Sequence, residues 1–154
     1  MNKKALKTFS LFFVFLLLFV SAPSGLAQTT EELQEKAKSG DVAAQFDLGH
    51  YYKSNAQSLE DFRRAYFWMK QAAEQGMGKA QFFVADMYCS GSGVEQSYIN
   101  AYVWHSLAAQ NGVTAAEEKM EMLEELFLTP AEVQEALTIR SKIKGVVRKF
   151  PKSK

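Results

Sequence analysis

Few side chains in this sequence could do chemistry: two histidines, His50 and His105, one cysteine, Cys89, and the adjacent pairs Glu117-Glu118 and Glu124-Glu125. Catalysis needs a nucleophile beside a base, a cluster of metal ligands, or two carboxylates in unlike surroundings. His50 falls in the first half of one sequence unit and His105 in the second half of the next, so they make no metal-ligand spacing. Neighbouring glutamates on a helix point about 100° apart, which describes a solvated face. No zinc, phosphate-loop or Gly-x-Ser-x-Gly pattern appears. The sequence therefore offers no catalytic residue, no metal ligand and no cofactor site. Cys89 has no partner in the chain, so no internal disulfide holds the fold; it reads as a small side chain near a helix end, with pairing between chains as the alternative.

What positions these residues is a repeat. Laid over Gly76–Asn111 without a gap, Gly40–Gln75 is identical at 11 of 36 positions. These pairs include Gly40/Gly76, Ala44/Ala80, Gln45/Gln81, Phe46/Phe82, Tyr52/Tyr88, Ala65/Ala101, Trp68/Trp104 and Ala72-Ala73/Ala108-Ala109. A third start falls on Gly112, with Ala116 again four residues on. Ala44, Leu48 and Tyr52 recur at helical spacing, a polar stretch follows, and Ala65, Trp68, Ala72 and Ala73 recur likewise. Ser90-Gly91-Ser92-Gly93 is a turn signal, and each second helix runs into Gly76 or Gly112, where a left-handed helix end costs least. The unit is helix, turn, helix, turn. Neither half can bury its apolar face alone, so stacked units must complete the core, with Trp68 and Trp104 between a unit and its neighbour.

The pattern Ala44-x-x-x-Leu48-Gly49-x-x-Tyr52 followed by Ala65-x-x-Trp68-x-x-x-Ala72-Ala73-x-x-Gly76 resembles the SEL-one-like repeat, a relative of the tetratricopeptide repeat. Ala80, Val84, Ala85, Tyr88, Gly91-Ser92-Gly93-Val94, Ala101, Trp104, Ala108, Ala109 and Gly112 carry it in the second unit. Asn55-Ala56-Gln57-Ser58 replaces the glycine loop in the first unit, and Ala85 replaces a usual glycine in the second. The resemblance implies an all-α, α/α solenoid and a role in holding other proteins. Some cysteine-rich members of the family are hydrolases of cell-wall or β-lactam substrates, but their paired cysteines are absent here. A regulator of a cell-wall enzyme or its glycan is the third function this family context allows.

The expected organisation is a signal peptide over 1–27, a capping helix over 28–39, repeats over 40–75 and 76–111, a degenerate third unit and cap over 112–144, and a basic tail over 145–154. The signal has a basic head at Lys3, Lys4 and Lys7, an apolar run from Phe9 to Val20, and small residues leading to cleavage after Ala27. That apolar run is 12 residues, whereas a helix needs about 20 to span a bilayer. This predicts an exported protein, periplasmic or secreted, with no stable span after cleavage. No Cys follows to carry a lipid. In the third unit Ala116, Met120, Leu123 and Phe127 keep one apolar stripe, and Thr129-Pro130-Ala131-Glu132 starts a last helix with a capping box.

Helical solenoids offer a concave groove lined by the first helix of each unit. Offset by about one residue from the core row, the first unit presents Ala43, Phe46, His50, Lys53 and Ser54, and the second Lys79, Phe82, Asp86, Cys89 and Ser90. The candidate partner-binding residues are Phe46, His50, Lys53, Lys79, Phe82 and Asp86; Phe46 and Phe82, repeating at the period of the core aromatics, are equally readable as core. This mixture of aromatic, acidic and basic groups suits a protein or peptide. From Gln28 to Leu137 there are 8 basic and 17 acidic residues, against 7 basic and none acidic from Thr138 to Lys154. An acidic body argues against nucleic acid, while the basic tail could dock on an anionic surface or partner. Two or three units leave little groove, which makes self-association through the end faces a further expectation.

Overall fold

The computed structural model describes residues 25–144. All but the last three residues of the expected signal, and the basic tail, lie outside the described residues. Of the described residues, 25–32 fall in a separate unit, and the body treated below begins at Leu33.

Seven helices and no strand make up the described residues: α1 (Gly25–Lys38), α2 (Val42–Ser54), α3 (Leu59–Glu74), α4 (Gly78–Ser90), α5 (Tyr98–Gln110), α6 (Ala115–Leu126) and α7 (Pro130–Lys144). α2 packs on α3 and α4 on α5 as the two repeated hairpins, α3 joins the hairpins by packing on α4, and α5 packs on both α6 and α7. This is the all-α solenoid expected from the period.

Local chemistry sets the breaks. Asp41 caps α2 by accepting from the Ala44 amide at 2.7 Å, Ser58 and Asp61 form a reciprocal capping box at α3, and Ser97 accepts from the Asn100 amide at 3.2 Å at α5. The expected capping box at α7 is present: the Thr129 amide donates to Glu132 Oε2 at 2.8 Å. Gly40, Gly76 and Gly112 take φ of 94°, 93° and 89°. At each, the next residue's amide reaches back to a carbonyl in the last helical turn: Asp41 to Lys36, Met77 to Ala72 and Val113 to Ala108. The turn between units is thus one structure used three times.

Gln45 and Gln81 rivet the units together. Both are buried, and each donates from Nε2 to the carbonyl at the end of the preceding helix, Ala37 at 3.2 Å and Ala73 at 3.1 Å. Each accepts from the amide that closes its own unit, Gln75 at 2.8 Å and Asn111 at 2.8 Å. One repeat further on the residue is Glu117, which is exposed and has no donor. The rivet therefore stops where the third unit becomes a cap.

The main core contains Met69, Val84, Met87, Val103, Trp104, Leu107 and Leu123, with small residues Ala65, Ala72, Ala73, Ala80, Ala85 and Ala101 letting helices approach. Ala136 of α7 is fully buried beside the partly buried Leu137 and Ile139, closing the far end. The two tryptophans differ from their common expectation. Trp104 lies in the main core, but Trp68 is half-buried in a satellite cluster with Leu33, Ala37, Ala44 and Leu48. The reason is position: Trp104 is preceded by a complete hairpin, α2 and α3, while Trp68 is preceded only by α1. The loop after α4 also locks to the first hairpin, because a Cβ on Gly93 would stand 2.2 Å from the Phe62 carbonyl oxygen.

Candidate functional site

α2 and α4 meet through side chains standing off the same face of each. Phe46 of α2 tilts against Phe83 of α4 with ring centroids 5.8 Å apart, His50 meets the Phe83 ring edge-on at 6.1 Å, and Lys53 Nζ stands 4.6 Å over its centroid. Phe82 turns the other way, contacting Phe83 at 6.3 Å and the His105 ring of α5 at 5.0 Å. Asp86, one turn further along α4, brings Oδ1 to 3.7 Å from His105 Nε2. We call this band from α2 across α4 the inner row.

Of the expected binding residues, Phe46, His50 and Lys53 are gathered around one ring, but that ring is Phe83, which the sequence reading did not select. Phe82 and Asp86 are gathered around His105, also not selected. Lys79 is exposed at the first turn of α4 and has no ion-pair partner. His50 is exposed, and Phe46, Lys53, Phe82, Phe83 and Asp86 are half-buried. The aromatics are therefore neither sealed core nor free surface.

The electrostatics centre on Asp86 and His105. Burial raises the Asp86 carboxyl above the usual carboxylate range, against the pull of Lys119 of α6 and Lys53. His105 is fully buried, and among the described residues its two ring nitrogens are the buried side-chain atoms without a hydrogen-bond partner. Burial, followed by the Lys119 charge, pushes it down to about 4, so it is neutral at pH 7. Burial, with Asp86, also raises the half-buried Cys89 thiol, which is thus a poorer nucleophile than a free thiol. Among the described residues no group of three His, Cys, Asp or Glu side chains could hold a metal. The arrangement offers apolar contact, cation–π contact and hydrogen bonding.

On the other side of α5 an open cleft of about 430 Å³ is lined by Ser106, Glu117, Glu121, Glu124 and Arg140 among others. Arg140 Nη1 donates to Ser106 Oγ at 2.9 Å, and the Tyr102 hydroxyl donates to Glu124. These bonds tie α7 and α6 to α5.

Two stacked helical hairpins define a helical-repeat solenoid. The Sel1 repeat family matches the chain over residues 42–77 and 78–113, the same period in a register two residues later. The chain carries two Sel1 repeats, a repeat that generally mediates protein–protein interaction. Among solved structures it is similar to a protective antigen present in uropathogenic Escherichia coli strains that displays an SLR fold. That similarity has a TM-score of 0.70 and 27% identity over 85% of this chain and 28% of that one. It is also similar to a Sel1 repeat protein from Oxalobacter formigenes, with a TM-score of 0.62 and 31% identity over 79% of this chain and 36% of that one. The chain thus spans about a third of the length of these relatives. No curated protein matches it.

Proposed function

We propose that this chain is a non-catalytic adaptor that acts in the bacterial envelope or outside the cell, and that it holds a protein or peptide on the inner row. The observation that carries the reading is the ring cluster of Phe46, His50 and Phe83 under Lys53, which spans two repeats and is only partly buried. Side chains with a large apolar body and a polar neighbour are what protein interfaces use as anchors. The N-terminal order of basic head, short apolar run and small residues supports export.

The test is capture from envelope extract after light crosslinking, using the chain and its Phe83→Ala variant in parallel. Retention of one protein by the chain and its loss from the variant is the expected result. Equal retention by both would overturn the row as the site. Cell fractionation tests location: recovery in the periplasm or medium is expected, and recovery wholly in the cytosol would overturn it.

A further inference from the structure

Lys53 and Lys79 of the inner row, and Lys119 of α6, which acts on Asp86 of the row, differ from four other cations of the body. Lys38, Arg63, Arg64 and Lys70 each pair with a glutamate one turn away. Lys53, Lys79 and Lys119 have no carboxylate within ion-pair distance, although the body around them carries about twice as many acidic as basic residues. Lys53 of α2 and Lys119 of α6 act instead on one carboxylate, Asp86. With three lysines against the single carboxylate of Asp86, this part of the body carries an excess of positive charge beside half-buried aromatic rings.

His105 bears on this excess. The equivalent position one repeat earlier is Met69, fully buried in the same core, so an apolar side chain satisfies the fold there. An imidazole with two unpartnered nitrogens is a costly substitute that packing does not require. From α4 it is faced by Asp86, with Cys89 one turn on, and from α6 by Lys119. Arg140 of α7 and Glu117, Glu121 and Glu124 of α6 line the separate cleft at Ser106. The 3.7 Å gap to Asp86 Oδ1 is about 1 Å longer than a charge-assisted hydrogen bond. A proton taken from solvent by Nε2 would close that gap, and Asp86 would then compensate His105 instead of Lys53 and Lys119.

We propose that the inner row takes an anionic peptide segment, carboxylate-bearing beside an apolar side chain, and that proton uptake by the Asp86–His105 pair strengthens this binding as pH falls. The inference rests on the inner row being the binding site. The apolar side chain packs on Phe46 and Phe83, and the carboxylate is drawn to Lys53 and Lys119, whose charges Asp86 no longer offsets once it pairs with the protonated His105. By linkage, the anion draws the proton uptake upward in pH, so affinity rises on acidification.

The test is selection of a random-peptide phage library on the full chain at about pH 7 and about pH 5. Enriched peptides are expected to place Asp or Glu beside an aromatic or aliphatic residue, and to bind roughly three- to fivefold tighter at the lower pH. Lys53→Ala with Lys119→Ala should abolish most of the binding. His105→Met should lose the gain on acidification, read as the ratio of its affinities at the two pH values. Basic or uncharged consensus peptides, or a gain that persists in His105→Met, would overturn this inference and leave the row as the binding site. Failure to enrich any peptide, or binding that survives Phe83→Ala, would overturn the proposed function and this inference with it.

Discussion

Replacing Gln81 tests how the repeats are joined. Its side chain is fully buried, donates to the Ala73 carbonyl at 3.1 Å and accepts from Asn111 Nδ2 at 2.8 Å. Leucine fills a similar volume but makes neither bond. The Ala73 carbonyl keeps the Gly76 amide at 3.0 Å, and Asn111 keeps the Leu107 carbonyl at 3.1 Å, so neither partner is left bare. The cost of Gln81→Leu is then two ordinary hydrogen bonds, about 2 kcal/mol in all. Gln81→Glu keeps the acceptor but places a carboxylate against the Ala73 carbonyl in a site without solvent. It should cost about 3 to 5 kcal/mol at neutral pH and recover part of that in acid, when the carboxyl regains a donor. Urea unfolding followed by helical circular dichroism measures both, with the slope unchanged if two-state behaviour holds. A Gln81→Leu chain within about 0.5 kcal/mol of the parent, or a Gln81→Glu chain as stable as Gln81→Leu at neutral pH, would refute the rivet.

Gly93→Ala should lower stability by roughly 3 kcal/mol, because its Cβ would meet Phe62 backbone that no side-chain rotation can clear. Gly91→Ala, also at positive φ but with its nearest contact at 3.5 Å, should cost only about 1 kcal/mol in the same unfolding assay. Trp104→Ala should cost about 3 to 5 kcal/mol and Trp68→Ala clearly less, since the first is buried in the main core and the second half-buried in the satellite cluster. Acid should destabilise the chain through His105. Its folded value of about 4 lies below the free 6.5, so the stability present above pH 6.5 is lost as pH falls toward 4, by about 3 kcal/mol. The raised Asp86 carboxyl works in the opposite sense, since the folded chain takes up its proton first, and the difference between the parent and His105→Met as a function of pH isolates the histidine.

The period carried most of the fold. Glycines at 40, 76 and 112 mark turns that are the same turn in the structure, and Thr129 to Glu132 announces α7 through chemistry local to four residues. Contacts between units were less legible. Repeat identity pairs Phe46 with Phe82 and so points to Phe82 for the row. Yet the residue that meets Phe46 across the unit boundary is Phe83, whose own equivalent is Asp47. Intramolecular equivalence and spatial contact differ by one helical position, about 100° of rotation, and nothing in one sequence fixes that rotation. Gln45 and Gln81 were visible as identities, but their role depends on carbonyls left over at a preceding helix end. His105 was hidden for the opposite reason: it departs from the repeat, facing the buried Met69 as its equivalent, and a polar residue at an apolar repeat position was the signal available. Lys119 sits in the unit that lost the motif, where alignment by period gives no guidance.

The central claim, that a partner lies on the inner row across the two hairpins, is tested most directly by photocrosslinking in cells that produce the full chain. A benzophenone amino acid is placed in turn at Lys53, at Phe82 and at the exposed Phe67 of α3, away from the row. The expected result is the same discrete adduct from positions 53 and 82 and none from 67. Adducts from 67 alone, or from all three positions equally, would contradict the claim.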